Sequence, residues 1–117
     1  MEKKNRESNL LELVPVRNIK WKTDDKGMVI ILKPKFKNRF LVKHILTRMK
    51  HPFYKVKLDE MGSYFWKNCD GVKNIREITI LHKEKFGEEA EPVLERISLF
   101  LQSLDRNNFI TFKEKNC

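Results

Sequence analysis

Side chains that commonly carry out chemistry are few in this chain, and their spacing matches no catalytic or metal-binding motif. The three histidines and two cysteines include no Cys-x-x-Cys and no His-x-x-x-His spacing, and no glycine-rich phosphate loop is present. A metal site of His44, His51 and Cys69 would require three isolated residues to converge, whereas isolated histidines more often lie on surfaces or in cores. The sequence therefore predicts no catalytic residue, no metal site and no cofactor.

The adjacent carboxylates Asp59 and Glu60 are the closest approach to an acid–base pair. They precede Met61, Phe65 and Trp66, which recur at helical spacing. Asp59 can therefore cap this helix by accepting from free backbone N–H groups, and Glu60 suits the positive end of the helix dipole. Helix capping accounts for both carboxylates, and we predict that the protein is not an enzyme.

A turn and a second helix follow. Cys69 continues the apolar stripe, and Gly71 after Asp70 can adopt the left-handed conformation that ends a helix. Asn74 with Glu77 three residues later is the pattern of a capping box. The Asp-Gly turn and the capping box explain these polar residues structurally.

Upstream of this region the pattern is typical of strands. The alternation in 16–22, the turn residues of 23–27 and the apolar run 28–32 predict a β-hairpin. Pro34 either ends the second strand of this hairpin or marks it as an edge strand. A third strand is predicted at 54–58, with Tyr54, Val56 and Leu58 facing the core and Lys55 and Lys57 facing solvent.

Downstream the pattern is helical. Helices are predicted over 74–86 and from Glu88 to about Asn107, with Pro92 in the first turn of the latter, and a short extended segment over 109–112. The predicted fold class is α+β: a three-stranded antiparallel sheet followed by a three-helix bundle, an order compatible with a winged helix-turn-helix. We expect a tail at 1–13, a domain at 14–112 and a second tail at 113–117.

Positive charge is concentrated in the first half of the chain. The net charge is +9, and residues 1–57 carry sixteen Lys and Arg against five Asp and Glu. Nine basic residues and no acidic one lie between Lys33 and Lys57. Any anionic partner must therefore be bound by this segment.

A basic insert at 35–52 separates the second and third predicted strands, and its apolar spacing predicts a short amphipathic helix at about 39–50. Three interpretations stay open: a solvated cover for the body, a docking surface for an acidic face of a partner enzyme or peptide, or a phosphate-binding surface. The residues of this anionic-partner patch would be Lys35, Lys37, Arg39, Lys43, Arg48 and Lys50.

The order of these elements resembles the PqqD family of small peptide-binding domains, also called RiPP recognition elements. The family has a strand followed by Leu-Asn-Glu, a helix ending in Cys-Asp-Gly, and a second helix with Glu-Ile. The matching residues are Leu58-Asp59-Glu60, Cys69-Asp70-Gly71 and Glu77-Ile78. The insert of about 17 residues from 36 to 52 departs from the family, which usually joins its second and third strands by a short turn.

The resemblance implies that the domain binds the leader region of a precursor peptide and presents it to a modifying enzyme, often a radical-SAM protein. The leader would add as a strand to the edge of the third strand, in a groove beside the helix 88–107. Leu99, opposite that helix's core stripe, is then either an ordinary exposed leucine or a floor for a peptide anchor. The groove residues would be Tyr54, Lys55, Val56, Lys57, Arg96, Leu99, Ser103 and Arg106.

The alternative function is that of a nucleic-acid-binding winged helix that uses residues 33–57. It ranks second because the helix that would enter the major groove begins with Glu88, Glu89 and Glu91. No apolar run is long enough for a membrane span, and the two cysteines form no disulfide framework, so we expect a reduced, cytoplasmic protein. An open strand edge permits strand exchange, and the sequence does not decide between monomer and dimer.

Overall fold

The computed structural model describes residues 9–35, 43–45 and 48–113. The chain divides into two compact units. The sheet unit comprises residues 19–59, and the helical unit comprises residues 1–18 and 60–117. The fold is α+β, as predicted: a three-stranded antiparallel sheet is followed by three main helices, and a pair of short strands near the termini is added.

The sheet unit is an antiparallel meander of β2 (Trp21–Thr23), β3 (Val29–Pro34) and β4 (Phe53–Lys57), with β3 in the centre. β3 ends at Pro34, as the sequence predicts, because proline has no N–H to continue a ladder. Val29 and Ile31 alternate with partly exposed residues and are fully buried. The continuous apolar run in the sequence therefore forms a strand with one buried face and one partly exposed face.

The loop between β2 and β3 is organised by one carboxylate. The Oδ1 atom of Asp24 accepts hydrogen bonds from the backbone N–H groups of Lys26 and Met28, each at 2.9 Å. Gly27 has a φ of 83°, which glycine adopts without a Cβ clash. The hairpin loop predicted from the sequence is confirmed.

The helical unit begins its main helices with α1 (Glu60–Lys67), directly after Asp59. Phe65, Trp66 and Cys69 are buried, so the prediction that they form core is confirmed. The carboxyl end of α1 is capped by Arg17, whose Nη1 donates to the carbonyl oxygens of Trp66 at 3.1 Å and Lys67 at 2.9 Å. A cation at this end also complements the helix dipole.

The turn after α1 and the start of α2 (Ile75–Phe86) also confirm the prediction. Gly71 has a φ of 80°, and its N–H donates to the carbonyl oxygen of Pro15. Asn74 caps α2 by accepting from the N–H of Glu77, while the Glu77 side chain accepts from the N–H of Asn74. Gly87 lies at the carboxyl end, as expected.

The prediction of one helix from Glu88 to Asn107 is wrong at its start. A short 3-10 helix covers Gly87–Ala90, and α3 spans Val93–Arg106. Pro92 precedes the helix instead of lying in its first turn. Glu91 is extended, with ψ 143°, because a residue before proline is disfavoured in the α conformation. The predicted apolar stripe holds, since Val93, Ile97, Leu101 and Leu104 are buried and Leu94 and Phe100 are partly buried.

The prediction of a single first strand over 16–22 is also wrong. Two short strands replace it: β1 (Pro15–Arg17) pairs antiparallel with β5 (Ile110–Phe112), whereas β2 pairs with β3. β5 confirms the extended segment predicted at the end of the chain. The backbone N–H of Asn18 donates to the carbonyl oxygen of Phe109, so the pairing of β1 with the β5 segment extends to Asn18.

The helix predicted at about 39–50 lies largely outside the described residues, which include only 43–45 and 48–50 of it. Of its predicted apolar stripe, Ile45 is 41% exposed. None of the helices in the described part of the chain has the length and apolar character needed to cross a bilayer.

Candidate functional site

The outer edge of β4 presents a regular row of backbone groups. Two hydrogen bonds bracket the β3–β4 ladder: Leu58 N–H to the Val29 carbonyl at 2.9 Å, and Lys35 N–H to the Pro52 carbonyl at 3.1 Å. In an antiparallel ladder the bonded residues alternate, so Tyr54 and Val56 also direct their N–H and C=O groups toward β3. The three residues between them direct theirs to the other side.

Those three outward residues are Phe53, Lys55 and Lys57. Since β4 is at the margin of the sheet, their N–H and C=O groups lie on its outer edge. Within the described residues no strand pairs with this edge. It has the geometry needed to accept an added strand.

The side chains of β4 alternate between the two faces of the sheet. Val56 is opposite Ile31 and Tyr54 is opposite Lys33, so these two β4 residues share the face of the buried Ile31. The prediction that Tyr54 faces the core is nevertheless wrong, because its side chain is 56% exposed. The apolar part of this face ends at Ile31, and Tyr54 instead has Lys33 beside it and the Nζ of Lys35 5.4 Å from its ring centroid.

Lys55 and Lys57 are exposed on the opposite face, as predicted. The Nζ of Lys57 lies 3.3 Å from the Oδ2 of Asp24, and this contact crosses the sheet unit from the margin to the hairpin loop. The pKa of Asp24 is lowered, first by the hydrogen bond from the N–H of Met28 and also by Lys57. Among the ion pairs of the described residues none involves Lys55, so its ammonium group is available to an anionic partner.

The four predicted residues of the long helix lie on one exposed face of α3. Leu99 is 67% exposed, and Arg96, Ser103 and Arg106 are exposed around it. The Nη1 of Arg96 donates to the carbonyl oxygen of Glu89 at 2.7 Å, which leaves the other N–H donors of the guanidinium for a ligand. The β4 residues are thus gathered on one edge of the sheet unit and the α3 residues on one face of the helical unit; their joint role stays a prediction.

The anionic-partner patch is only partly within the described residues. Lys37 and Arg39 lie outside them, whereas Lys43, Arg48 and Lys50 are exposed. The three interpretations of the insert stay predictions.

The polar residues of the central region serve the fold. The Sγ of Cys69 donates to the carbonyl oxygen of Phe65 at 3.3 Å, and burial raises the pKa of this thiol to about 12. The pKa of Asp70 is lowered well below its ordinary value, first by the hydrogen bond from the Nζ of Lys73 at 2.7 Å. A reactive thiolate is therefore disfavoured at Cys69, and Asp70 is fixed in its turn.

His82 is a buried histidine on α2. Its ring is 5.2 Å from Tyr64, 5.9 Å from Phe65 and 5.5 Å from Phe86, centroid to centroid. Burial, and to a smaller extent the charge of Arg96, lowers its pKa to about 4. Across the described residues no group of three His, Cys, Asp or Glu side chains is close enough to hold a metal ion.

Sequence reasoning missed two features of the sheet unit. Phe53 belongs to the outward row of β4, and Lys20 and Lys22 share a face with Lys55 and Lys57. The two hydrogen bonds that fix the outward row are not visible in a single sequence. The alternation of Lys55 and Lys57 was visible, but the register that brings Lys22 onto their face was not.

Comparison with known proteins adds one finding. The family model described as coenzyme PQQ synthesis protein D (PqqD) matches residues 52–110, which include β4, the three main helices and the start of β5. No curated protein and no solved structure gives a significant match.

Proposed function

The chain belongs to the PqqD family, and on that premise we propose that it is a non-catalytic adaptor for a precursor peptide. It binds the leader region of the peptide as an added strand at the outer edge of β4. It then presents the peptide to a modifying enzyme, which in this family is often a radical-SAM protein.

The observation that carries this proposal is the outward row of Phe53, Lys55 and Lys57. Three consecutive outward positions offer three N–H donors and three C=O acceptors at regular spacing. Backbone pairing of this kind provides affinity for an extended peptide with little dependence on its sequence. Selectivity must then come from the side chains beside the edge.

Those side chains favour acidic residues at alternate positions of the leader. An added strand continues the alternation of the sheet, so every second leader residue lies on the face of Lys55 and Lys57. Opposite charges across neighbouring strands stabilise the pair, and like charges destabilise it. The intervening leader residues lie on the face of Tyr54 and Val56, where an apolar or aromatic side chain fits.

The exposed face of α3 is a second, separable part of the proposal. Leu99 offers an apolar contact, and Arg96 and Arg106 offer two cations for acidic leader residues. Leu99→Asp and Arg96→Glu would weaken leader binding if this face takes part. Unchanged affinity of both variants in titration calorimetry would confine the site to the β4 edge.

The decisive experiment removes one outward N–H without disturbing the sheet. Lys55→Pro deletes a donor that the β3 ladder does not use, and proline is tolerated on the open side of an edge strand. Lys55→Ala is the matched control, since it removes the same charge and keeps the N–H. The ligand is the leader of a precursor peptide encoded beside the gene, titrated by calorimetry.

Lys55→Pro is expected to weaken leader binding at least about tenfold relative to Lys55→Ala, because one backbone hydrogen bond is lost and the proline ring obstructs the added strand. The circular dichroism spectra and melting temperatures of the two variants establish that both are folded. Equal affinities for the leader would contradict strand addition at β4.

Nucleic acid is the second candidate partner, favoured by the concentration of charge in 33–57. Phosphate binding releases counterions, so affinity for a random duplex would fall steeply with salt. Absence of duplex binding at low salt would eliminate this function, and duplex binding that competes with the leader would replace the adaptor proposal.

A further inference from the structure

One face of the sheet carries a row of lysines along each margin. Lys22 of β2 is opposite Ile30 of β3, which is opposite Lys57 of β4. One step along, Leu32 of β3 is opposite Lys55, and its N–H donates to the carbonyl oxygen of Lys20 at 2.9 Å. We name this surface the lysine-flanked face; its six residues are Lys20, Lys22, Ile30, Leu32, Lys55 and Lys57.

The centre of the lysine-flanked face is apolar. Ile30 and Leu32 are partly exposed, while all four lysines are exposed. Lysine stems pack along apolar surface and keep their charged ends in water, so they cover Ile30 and Leu32 only in part. The result is an aliphatic strip between two cationic margins, which is suited to a partner with the complementary pattern.

Its dimensions match an α-helix. Neighbouring strands lie about 4.8 Å apart, so the two margins are separated by about 10 Å. An α-helix with its side chains is about 10–12 Å in diameter. Along each margin the two lysines are about 6.7 Å apart, close to the spacing of residues one helical turn apart on the same side.

From this match we infer that the lysine-flanked face docks an acidic amphipathic helix of a partner protein. The apolar ridge of that helix lies on Ile30 and Leu32. Its Asp and Glu residues, in a row on either side of the ridge, pair with Lys20 and Lys22 on one margin and with Lys55 and Lys57 on the other.

Charge complementarity supports an anionic occupant. The sheet unit has twelve Lys and Arg against three Asp, a net charge of +9, equal to that of the whole chain. A carboxylate that contacts the face is Asp24, whose Oδ2 is 3.3 Å from the Nζ of Lys57. Asp24 is held by the hairpin loop and forms its ion pair with Lys57, and the four lysines outnumber this single carboxylate charge, so the face as a whole stays cationic.

The composition of the centre favours a polypeptide over nucleic acid or a lipid surface. Single-stranded nucleic acids are bound by aromatic side chains on which bases stack, whereas Ile30 and Leu32 between the lysines are aliphatic. The aromatic residue Phe53 shares this face but lies at its end, opposite Pro34 and beyond the four lysines. Peripheral membrane attachment requires apolar side chains that project into the acyl region. Ile30 and Leu32 are only partly exposed, and the longer, exposed lysine side chains flank them on both margins.

This inference stands apart from strand addition at β4. The leader uses the backbone of the β4 edge and the side chains beside it, including Lys55 and Lys57, whereas the docked helix also requires the opposite margin of the lysine-flanked face. Lys20 and Lys22 belong to the face and lie on the margin remote from that edge. Variants at these two positions therefore test the face alone.

The test titrates the full chain with a synthetic helical peptide of about 20 residues, long enough to be helical in water. Leucines form its ridge and glutamates form a row on each side. A second peptide carries lysine in place of every glutamate. The protein variants are Lys20→Glu with Lys22→Glu, and the matched control Lys83→Glu with Lys113→Glu, which changes the net charge equally at exposed positions of the helical unit.

The acidic peptide is expected to bind the unmodified chain, and the lysine peptide is not. Lys20→Glu with Lys22→Glu is expected to weaken binding at least about tenfold, because two exposed attractions become repulsions. The Lys83 and Lys113 control should change affinity by less than about twofold. Binding should also weaken between about 0.05 and 0.5 M salt.

Four outcomes would overturn the inference. The first is the absence of acidic-peptide binding at low salt, and the second is an equal loss of affinity in the two double variants. The third is tighter binding of an oligonucleotide or of anionic phosphatidylserine vesicles through Lys20 and Lys22. The fourth is a dimer of the chain that only Lys20→Glu with Lys22→Glu dissociates. The leader is titrated into Lys20→Glu with Lys22→Glu as a separate measurement. Unchanged leader affinity in this variant shows that the lysine-flanked face and the β4 edge can fail independently.

Discussion

The sheet unit and the helical unit have opposite characters. The sheet unit carries a net charge of +9 and, among the described residues, contributes three of the buried core hydrophobics, Val29, Ile31 and Leu58. The helical unit is neutral, with thirteen basic and thirteen acidic residues, and contributes the other twelve. Burial is thus concentrated in one unit and charge in the other.

The difference separates residues that stabilise the fold from residues to which we assign partner recognition. In the helical unit, His82 is surrounded by the rings of Tyr64, Phe65 and Phe86. The ring centroid of Phe65 also lies 5.5 Å from that of Phe100 in α3. In the sheet unit, exposed cations flank an open strand edge and an aliphatic strip. Substitutions of buried residues in the helical unit should therefore change stability, and substitutions of exposed cations in the sheet unit should change binding.

The largest expected effect is on the aromatic cluster. Phe65→Ala should lower the free energy of unfolding by about 3–5 kcal/mol, because a fully buried ring is removed and a cavity remains. Urea denaturation followed by circular dichroism measures the loss. Tyr54→Ala is the matched control in the sheet unit. If it lowered the free energy of unfolding as much as Phe65→Ala, the proposed difference between the two units would be wrong.

His82 should make the helical unit sensitive to acid. Its pKa is about 4 in the folded chain and near 6.5 when exposed, so the unfolded chain binds the proton more readily. Its stabilising contribution is complete above pH 6.5 and is lost as the pH falls toward 4, by on the order of 3 kcal/mol. Denaturant titrations between these pH values measure it.

His82→Leu should flatten this part of the pH dependence, and His51→Gln, at an exposed position, should leave it unchanged. An unaltered acid response in His82→Leu would assign the effect to other groups.

A smaller effect is expected at the turn after α1. Gly71→Ala should destabilise the chain by about 1–2 kcal/mol, because the position has a φ of 80° and a Cβ there would lie 3.3 Å from Val16 Cγ2. The thermal midpoint reports the change. Gly87 has a φ of 60° but open space around the added Cβ, so Gly87→Ala should cost less; the reverse order would show that contact with β1 is unimportant.

The smallest effect on stability is expected at the lysine margin. Lys22→Glu should change the free energy of unfolding by less than about 0.5 kcal/mol, since exposed substitutions away from buried contacts have little effect. Chemical denaturation measures this term. A loss comparable to that at Gly71 would show that the margin contributes to the fold as well as to recognition.

The helical unit was the more predictable of the two. Helical periodicity, the Asn74–Glu77 capping box and the Asp70-Gly71 turn are local patterns, and each is found where the sequence placed it. The error at Glu88 arose because the extended conformation imposed on Glu91 by Pro92 outweighed a continuous amphipathic pattern. The pairing of β1 with β5 joins the two ends of the chain and leaves no local trace.

The sheet unit was predicted in outline only. The exposed Tyr54 was assigned to the core because alternation gives the face of a residue but not the point along the strand where the face ceases to be buried. The outward row of β4 and the lysine-flanked face depend on register, which is set by pairing between strands. The two proposed recognition surfaces therefore depend on non-local contacts, which a single sequence does not show.

Amide hydrogen exchange along β4 tests the central claim most directly. Tyr54 and Val56 donate toward β3 and should be protected already, whereas the amides of Phe53, Lys55 and Lys57 should exchange freely. With the precursor leader at saturation, these three amides should slow at least about tenfold while Tyr54 and Val56 stay unchanged. A leader that binds and leaves all three outward amides at their original rates would contradict strand addition at this edge.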